Sequence, residues 1–204
     1  MAVEPQSGTE MEERSRRIVE TAVELAEEGG FEAVRLRDVA SHAGVALGTL
    51  YRRFRSKEDL LVAALELETQ DLERRMRQKP AKGDTELDRV GAFFSAATKG
   101  LLRRPNLARA LLRAIASGDP ELARRVGQFH TNMEILIVAA LRGDAAGIAE
   151  GGAAPPTETE MKIADTLEQV WFALLVGWSG GQHSQAALVD KMCVSTELVL
   201  RGAR

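Results

Sequence analysis

Six basic side chains cluster in one short stretch of this sequence, where a single acidic residue, Asp38, accompanies them. They are Arg35, Arg37, Arg52, Arg53, Arg55 and Lys57. Guanidinium and ammonium groups bind phosphate oxygens, and arginine also pairs with the edge of guanine in the major groove. The whole chain has a net charge of −3, so its positive charge is local. The cluster predicts contacts with DNA phosphates, and an ordinary solvated charged surface is the alternative.

The residues between Val39 and Phe54 have the pattern of two short helices joined by a tight turn. Ala40 is small enough to let the second helix pack closely, and Gly44 can take the positive φ that the corner needs. We expect helices over about 37–43 and 47–53. The outward positions of the second helix are Leu47, Gly48, Tyr51 and Arg52. A helix-turn-helix beside a basic cluster predicts that its second helix enters the major groove.

Every periodic segment of the chain has helical spacing, so the sequence predicts an all-α fold of about nine helices. The first helix begins near Glu12 and stops at Gly29-Gly30. Asp119-Pro120 marks the start of a later helix, and Thr157 with Glu160 has the spacing of a capping box. The expected organisation is a disordered tail over 1–11, a helix-turn-helix domain over 12–58 and a larger helical domain over 59–204. The larger domain contains a Gly/Ala/Pro-rich flexible loop at 143–157.

The last two predicted helices, over about 158–181 and 184–200, are apolar around more than one face. A helix with a wide apolar arc must bury more than one side, and a second copy of the chain would cover the spare side. The predicted dimer interface comprises Leu167, Trp171, Leu174, Trp178, Leu188, Met192 and Leu198. A central core position within a monomer is the alternative.

The block from Gly30 to Leu61, above all Gly44-Val45-Ala46-Leu47-Gly48-Thr49-Leu50-Tyr51-Arg52-Arg53-Phe54, resembles the TetR family of transcriptional regulators. Within that family the chain is most similar to actinobacterial repressors of sterol and cholesterol catabolism. The shared features are the Val34-Arg35-Leu36-Arg37 entry, the Gly48-Thr49-Leu50-Tyr51-Arg52 run and the Val170-Trp171…Trp178 segment.

The resemblance implies three N-terminal helices that bind DNA and a fourth that links them to a ligand-binding domain, which dimerises through its last two helices. The partners would be a palindromic double-stranded operator, a second copy of the chain and a small apolar effector, with a steroid acyl-CoA as the expected class. Carried over by position, the predicted DNA contacts are Arg35, Arg37, Ala46, Leu47, Gly48, Thr49, Tyr51, Arg52, Arg53 and Lys57. Many members have Ser or Thr where Arg35 and Ala46 stand, so base recognition would depend on Arg52 and on apolar contacts.

Aromatic and polar side chains on the middle helices are the candidate lining of the effector pocket. They are Phe93, Phe94, Asn106, Phe129, Asn132, Met133, Leu136, Trp171 and Leu175. Plain core packing is the alternative for each apolar member of the set, and exposure on a helix surface is the alternative for the two asparagines.

Catalysis is not expected. The three histidines, His42, His130 and His183, lack the spacing of metal ligands, and no catalytic motif or cofactor-binding loop is present. No apolar run approaches the roughly 20 residues of a membrane span, so a cytoplasmic protein without membrane partners is expected. Two alternatives to a ligand-controlled regulator remain. One is a redox sensor that uses the lone Cys193, and the other is a dimeric interaction module without specific DNA binding.

Overall fold

The computed structural model describes residues 6–144 and 154–203, with side chains from residue 11 onward. Within these ranges the chain forms nine helices and no strand, which confirms the predicted all-α fold. The helices are α1 (Gln6–Ala33), α2 (Leu36–His42), α3 (Leu47–Tyr51), α4 (Lys57–Gln78), α5 (Glu86–Leu101), α6 (Pro105–Ile115), α7 (Ala123–Arg142), α8 (Glu158–Ser179) and α9 (Gln185–Gly202). None of the described helices is long and apolar enough to cross a membrane.

Helix α1 starts at Gln6, earlier than the predicted Glu12, so residues 6–11 are helical where the sequence predicts a disordered tail. Residues 1–5 lie outside the described part of the chain. The predicted stop is present as a break in helical geometry at Gly29 and Gly30. Gly30 has a φ of 69°, a conformation that only glycine adopts without strain.

The chain divides into two compact units. Unit 1 comprises Met1–Leu67 and Arg104–Ala123, and unit 2 comprises Glu68–Arg103 and Arg124–Arg204. The predicted larger domain, 59–204, therefore differs from unit 2, because α6 groups with the helix-turn-helix. The predicted loop at 143–157 is described only at its two ends, and residues 145–153 lie outside the described part of the chain.

In unit 1, α1 and α6 hold each other through both apolar and polar contacts. Ile18, Val19 and Ala22 of α1 are buried. Asn106 Nδ2 donates to the Glu27 carbonyl at 2.9 Å, and the Glu27 carboxylate accepts from the Leu107 amide at 3.1 Å. The first bond satisfies a carbonyl near the end of α1, and the second places negative charge at the N-terminus of α6, where the helix dipole favours it.

Unit 2 is built around an aromatic core on α5 and α8. Phe93 and Phe94 contact each other edge to face, with ring centroids 5.1 Å apart. Trp171 packs beside Phe94 and donates its indole N–H to Thr98 Oγ1 at 2.9 Å. Without this bond, two buried polar groups would have no hydrogen-bond partner. At the start of α8, Thr157 and Glu160 form the predicted capping box.

Candidate nucleic-acid interface

The helix-turn-helix of unit 1 has the geometry that the sequence predicts. Gly44 takes a φ of 65°, and the Val45 amide donates to the Ala40 carbonyl at 3.0 Å across the turn. Leu50 of α3 and Phe54 beyond it are buried. With its inner positions buried, α3 presents the remaining positions outward on a short, firmly packed helix.

The outward positions of α3 carry predicted DNA-contacting residues. Tyr51 keeps 52% of its surface exposed, which is high for a large aromatic side chain. Ala46, Gly48 and Arg52 are also exposed, and Leu47 and Thr49 are half-buried. Arg52 Nη2 donates to Thr49 Oγ1 at 3.1 Å, so the guanidinium lies along the helix surface. A phenol, a guanidinium and small side chains on one exposed face suit a DNA groove.

Three further cations flank this face. Arg35 is the N-cap residue of α2, Arg37 lies in its first turn, and Arg53 follows α3. All three are exposed, and none forms an ion pair with a described residue. Their charge is therefore available to phosphate groups.

Lys57 and Arg55, in contrast, have acidic partners that are distant in sequence. The Lys57 ammonium lies 3.3 Å from Glu32 Oε2 and 3.9 Å from the centroid of the Phe31 ring. Arg113 of α6 contacts the same ring and the same carboxylate, and together the two cations lower the pKa of Glu32. Arg55 pairs with Glu121. The sequence could not reveal these ion pairs, because in each pair the two residues are far apart along the chain.

Most of the predicted effector contacts lie inside the folded chain. Phe93, Phe94, Phe129, Met133, Trp171 and Leu175 are buried. Leu136 is half-buried, and Asn132 is exposed and accepts from Gln128. Asn106 belongs to unit 1, where it bonds to Glu27. Burial fits both core packing and the wall of an internal pocket, so these effector contacts stay a prediction.

An open cavity of about 870 Å³ does lie in unit 2, but it is lined by other residues. They come from the second half of α4, the second half of α5 and the start of α9. The lining combines basic and apolar side chains with two glutamines, Gln78 and Gln185, and sequence periodicity gives no signal for such a site.

The predicted dimer contacts fall into two groups. Leu167, Trp171, Leu188 and Met192 are buried within the subunit, so they are core residues rather than a free surface. Leu174 and Trp178 are half-buried, and Leu198 is 64% exposed. Sequence reasoning missed two other exposed apolar residues, Val176 on α8 and Val194 on α9. The last two helices therefore do present apolar side chains, but from positions other than most of those predicted.

Two remaining predictions concern chemistry elsewhere in the chain. No cluster of three or more metal-ligating side chains occurs among the described residues. Cys193, the thiol of the predicted redox-sensor alternative, is free and exposed.

An exposed, cation-flanked second helix in an all-helical chain defines a helix-turn-helix DNA-binding protein. The family model described as "Bacterial regulatory proteins, tetR family" matches residues 18–64, and the model described as "Tetracyclin repressor-like, C-terminal domain" matches residues 83–199. The chain therefore belongs to the tetR family, whose members regulate transcription and are not enzymes. The resemblance predicted from the sequence is confirmed.

Individual relatives agree with this assignment over nearly the whole chain. The transcriptional repressor KstR of Rhodococcus jostii is 34% identical over 194 residues, which is 95% of this chain and 86% of KstR. A solved TetR regulator from a Rhodococcus species is 29% identical with a TM-score of 0.81, covering 94% of this chain and 97% of that one. The FadR repressor of Thermus thermophilus, solved with lauroyl-CoA, has a TM-score of 0.71 at 22% identity, covering 92% and 94%. The last likeness concerns the fold alone.

Proposed function

We propose that this chain is a transcriptional repressor that binds a palindromic operator as a homodimer in the cytoplasm. The observation that supports it is the exposed face of α3, with Tyr51 and Arg52 outward beside uncompensated cations. Arg52 would read base edges, Ala46, Leu47 or Thr49 would contact thymine methyl groups, and Gly48 would lie on the face turned to the bases. Tyr51, Arg35, Arg37, Arg53 and Lys57 would hold phosphates.

A second copy of the chain is the proposed partner of the exposed apolar side chains on α8 and α9. Leu198, Val194 and Val176 are 64%, 56% and 45% exposed, and Trp178 and Leu174 add half-buried surface. Val194 and Leu198 are one helical turn apart, so they lie on the same side of α9. A dimer would set two α3 helices about 34–36 Å apart, the distance between successive major grooves.

The effector in this proposal is a lipid-like acyl-CoA thioester, with a steroid-derived acyl group as the expected class. Support comes from the resemblance to sterol-catabolism repressors and from the lauroyl-CoA in the Thermus relative. Such a ligand would release DNA by binding the DNA-free form more tightly, with a coupling free energy of typically about 1–3 kcal/mol.

The first experiment is to retain fragmented genomic DNA of the source organism on the protein and to sequence what is retained. A shared palindrome is expected. The Arg52→Ala variant should lose about 1–3 kcal/mol of affinity for that palindrome, as expected for a lost arginine–guanine contact. Arg16→Ala removes an exposed arginine that pairs with Glu20 on α1 and serves as the matched control. Salt-sensitive retention without a common motif would favour the interaction module without specific DNA binding.

A further inference from the structure

The open cavity in unit 2 has the dimensions of a small-molecule site. Its volume of about 870 Å³ lies within the roughly 300–1,000 Å³ of typical ligand pockets. The apolar residues that line it are Leu72, Met76, Ala96 and Leu102. Met76 and Leu102 are buried, so the deeper part of the lining is apolar.

Four cations line the same cavity, and they are Arg75, Lys79, Lys99 and Arg103. All four are exposed, whereas Met76 and Leu102 of the same lining are buried. No acidic residue lines the cavity, and none of the four cations forms an ion pair within the described part of the chain. Like charges brought together without acidic partners repel one another, and an anion would remove that repulsion.

Neighbouring arginines of α4 show that unpaired cations are not the rule on this helix. Arg74 bonds to Asp71 and Arg77 bonds to Glu73. Neither of them lines the cavity. All three arginines are exposed, but only Arg75, which lines the cavity, has no acidic partner among the described residues.

We propose that this cavity binds an anionic amphiphile, with its acidic head on the four cations and its hydrocarbon chain on the apolar residues. The proposal rests on the small-molecule effector of the proposed function and locates its charged end. The acid can be the phosphates of an acyl-CoA thioester or the carboxylate of a free fatty acid, since both pair with guanidinium and ammonium groups. Several phosphates match four cations better than one carboxylate does.

A simpler role exists for two of these residues. Arg75 and Lys99 lie in the last turns of α4 and α5, where positive charge stabilises a helix end. That role needs no ligand and predicts that neutralising them lowers stability without affecting ligand binding. It gives no reason for Lys79 and Arg103, which follow their helices, to line the same cavity.

The test measures direct binding of lauroyl-CoA, laurate and coenzyme A to the full-length protein by titration calorimetry. Lys79→Gln and Lys99→Gln should each weaken lauroyl-CoA binding about tenfold, which is about 1.4 kcal/mol. Arg74→Gln and Arg77→Gln are matched controls that remove paired cations from the same helix, and they should bind within about twofold of the wild type. Circular dichroism melts check that all four variants fold.

Each outcome decides a separate part of the proposal. Tight binding of lauroyl-CoA with weaker binding of laurate and coenzyme A supports an amphiphile with a phosphate head. Laurate binding as tightly as lauroyl-CoA, with the same dependence on Lys79 and Lys99, supports the carboxylate source. Equal binding to the wild type and to both cavity variants, or no binding of any probe, overturns the site.

An operator-release assay separates this proposal from the effector role on which it rests. If lauroyl-CoA binds through Lys79 and Lys99 but does not displace operator DNA, the cavity stands and the effector role fails. If lauroyl-CoA releases DNA from the wild type and from both cavity variants at the same concentration, the effector role stands and the cavity proposal fails.

Discussion

Replacing His130 with leucine should destabilise the protein, because His130 is the partner of a fully buried carboxylate. His130 Nδ1 lies 2.8 Å from Glu168 Oε1, and Glu168 has no exposed surface. Its other oxygen, Oε2, has no hydrogen-bond partner among the described residues. Leucine fills a similar volume but cannot donate, so the variant leaves the whole carboxylate without a partner.

The size of the effect follows from how closed the site is. Breaking a buried ion pair by removing one partner costs about 3–5 kcal/mol. The His130 side chain keeps 24% of its surface exposed, so water reaches one side of the pair. We therefore expect a loss of about 2–3 kcal/mol in the free energy of unfolding. Urea unfolding followed by circular dichroism measures this difference.

The loss should depend on pH. The hydrogen bond to Glu168 raises the pKa of His130 above its usual value near 6.5, against the opposing effect of burial, and Glu134 and Asp165 add smaller contributions in the same direction. Because the folded-state pKa is the higher one, the stabilisation is complete below the unfolded value of about 6.5 and is lost as pH rises through the folded-state value. The cost of His130→Leu should therefore be larger near pH 5.5 than near pH 8.5. The cost should not vanish at high pH, because a neutral imidazole can still donate a hydrogen bond from Nδ1 to Glu168.

Two controls isolate this pair. In a Glu168→Gln background, His130→Leu should cost less, and the double-mutant cycle gives the coupling between the two side chains. His42→Leu removes an exposed histidine that bonds only within α2 and should change the free energy of unfolding by less than about 0.5 kcal/mol. A His130→Leu cost that is the same at both pH values, or below about 0.5 kcal/mol, would refute the reasoning.

Three further predictions concern other parts of the chain. Leu198→Lys should shift the protein toward monomer in sedimentation, whereas Met11→Lys, a control at an equally exposed apolar residue of α1, should not. Arg142→Gln should cost more stability above pH 4.5 than near pH 2, because the bond from Arg142, with smaller contributions from Thr157, lowers the pKa of Glu160 to about 2. A carboxylate with a lowered pKa stabilises the fold at higher pH and loses that effect as pH falls. The bonds from Arg142 to the Ala154 and Pro155 carbonyls are lost at both pH values. Equal acid-unfolding midpoints for the two proteins would contradict this. Gly30→Ala should cost about 1–3 kcal/mol in urea unfolding, because alanine is strained at a φ of 69° and a ψ of −162°, a region open essentially to glycine alone; an unchanged midpoint would show that the break in α1 can relax.

Local signals in the sequence predicted the elements that depend on neighbouring residues. The turn at Gly44 needs only a positive φ and small neighbours, and the start of α8 needs only a threonine three residues before a glutamate. Asp119 shows the limit of such signals. Its carboxylate accepts from the Glu121 amide as a cap would, yet α7 begins only at Ala123. The local bond forms there without a helix following it directly.

Burial was predictable, but the surface against which each side chain is buried was not. Helical spacing placed Phe93, Met133 and Leu188 on apolar helix faces, and all three are buried. It could not distinguish a core from a pocket wall or from a subunit interface, because all three place apolar side chains on one helix face. The sequence did not predict the cavity in unit 2. Its lining residues Lys79 and Lys99 lie 20 positions apart in the chain and are brought to the same cavity only by folding.

The fold pairs some residues of the basic cluster near α3 with acidic side chains, so the charge available to DNA is smaller than the number of basic residues suggests. Glu32 forms ion pairs with Lys57 and Arg113, and Glu121 forms one with Arg55. Acidic residues from distant segments therefore offset part of the positive charge. Arg35, Arg37 and Arg53 keep theirs. Because Glu32 is largely exposed, its pairing with Lys57 is screened by water, and a phosphate can replace it at little cost. The positive charge available to DNA is therefore set by tertiary contacts as well as by the residues around α3.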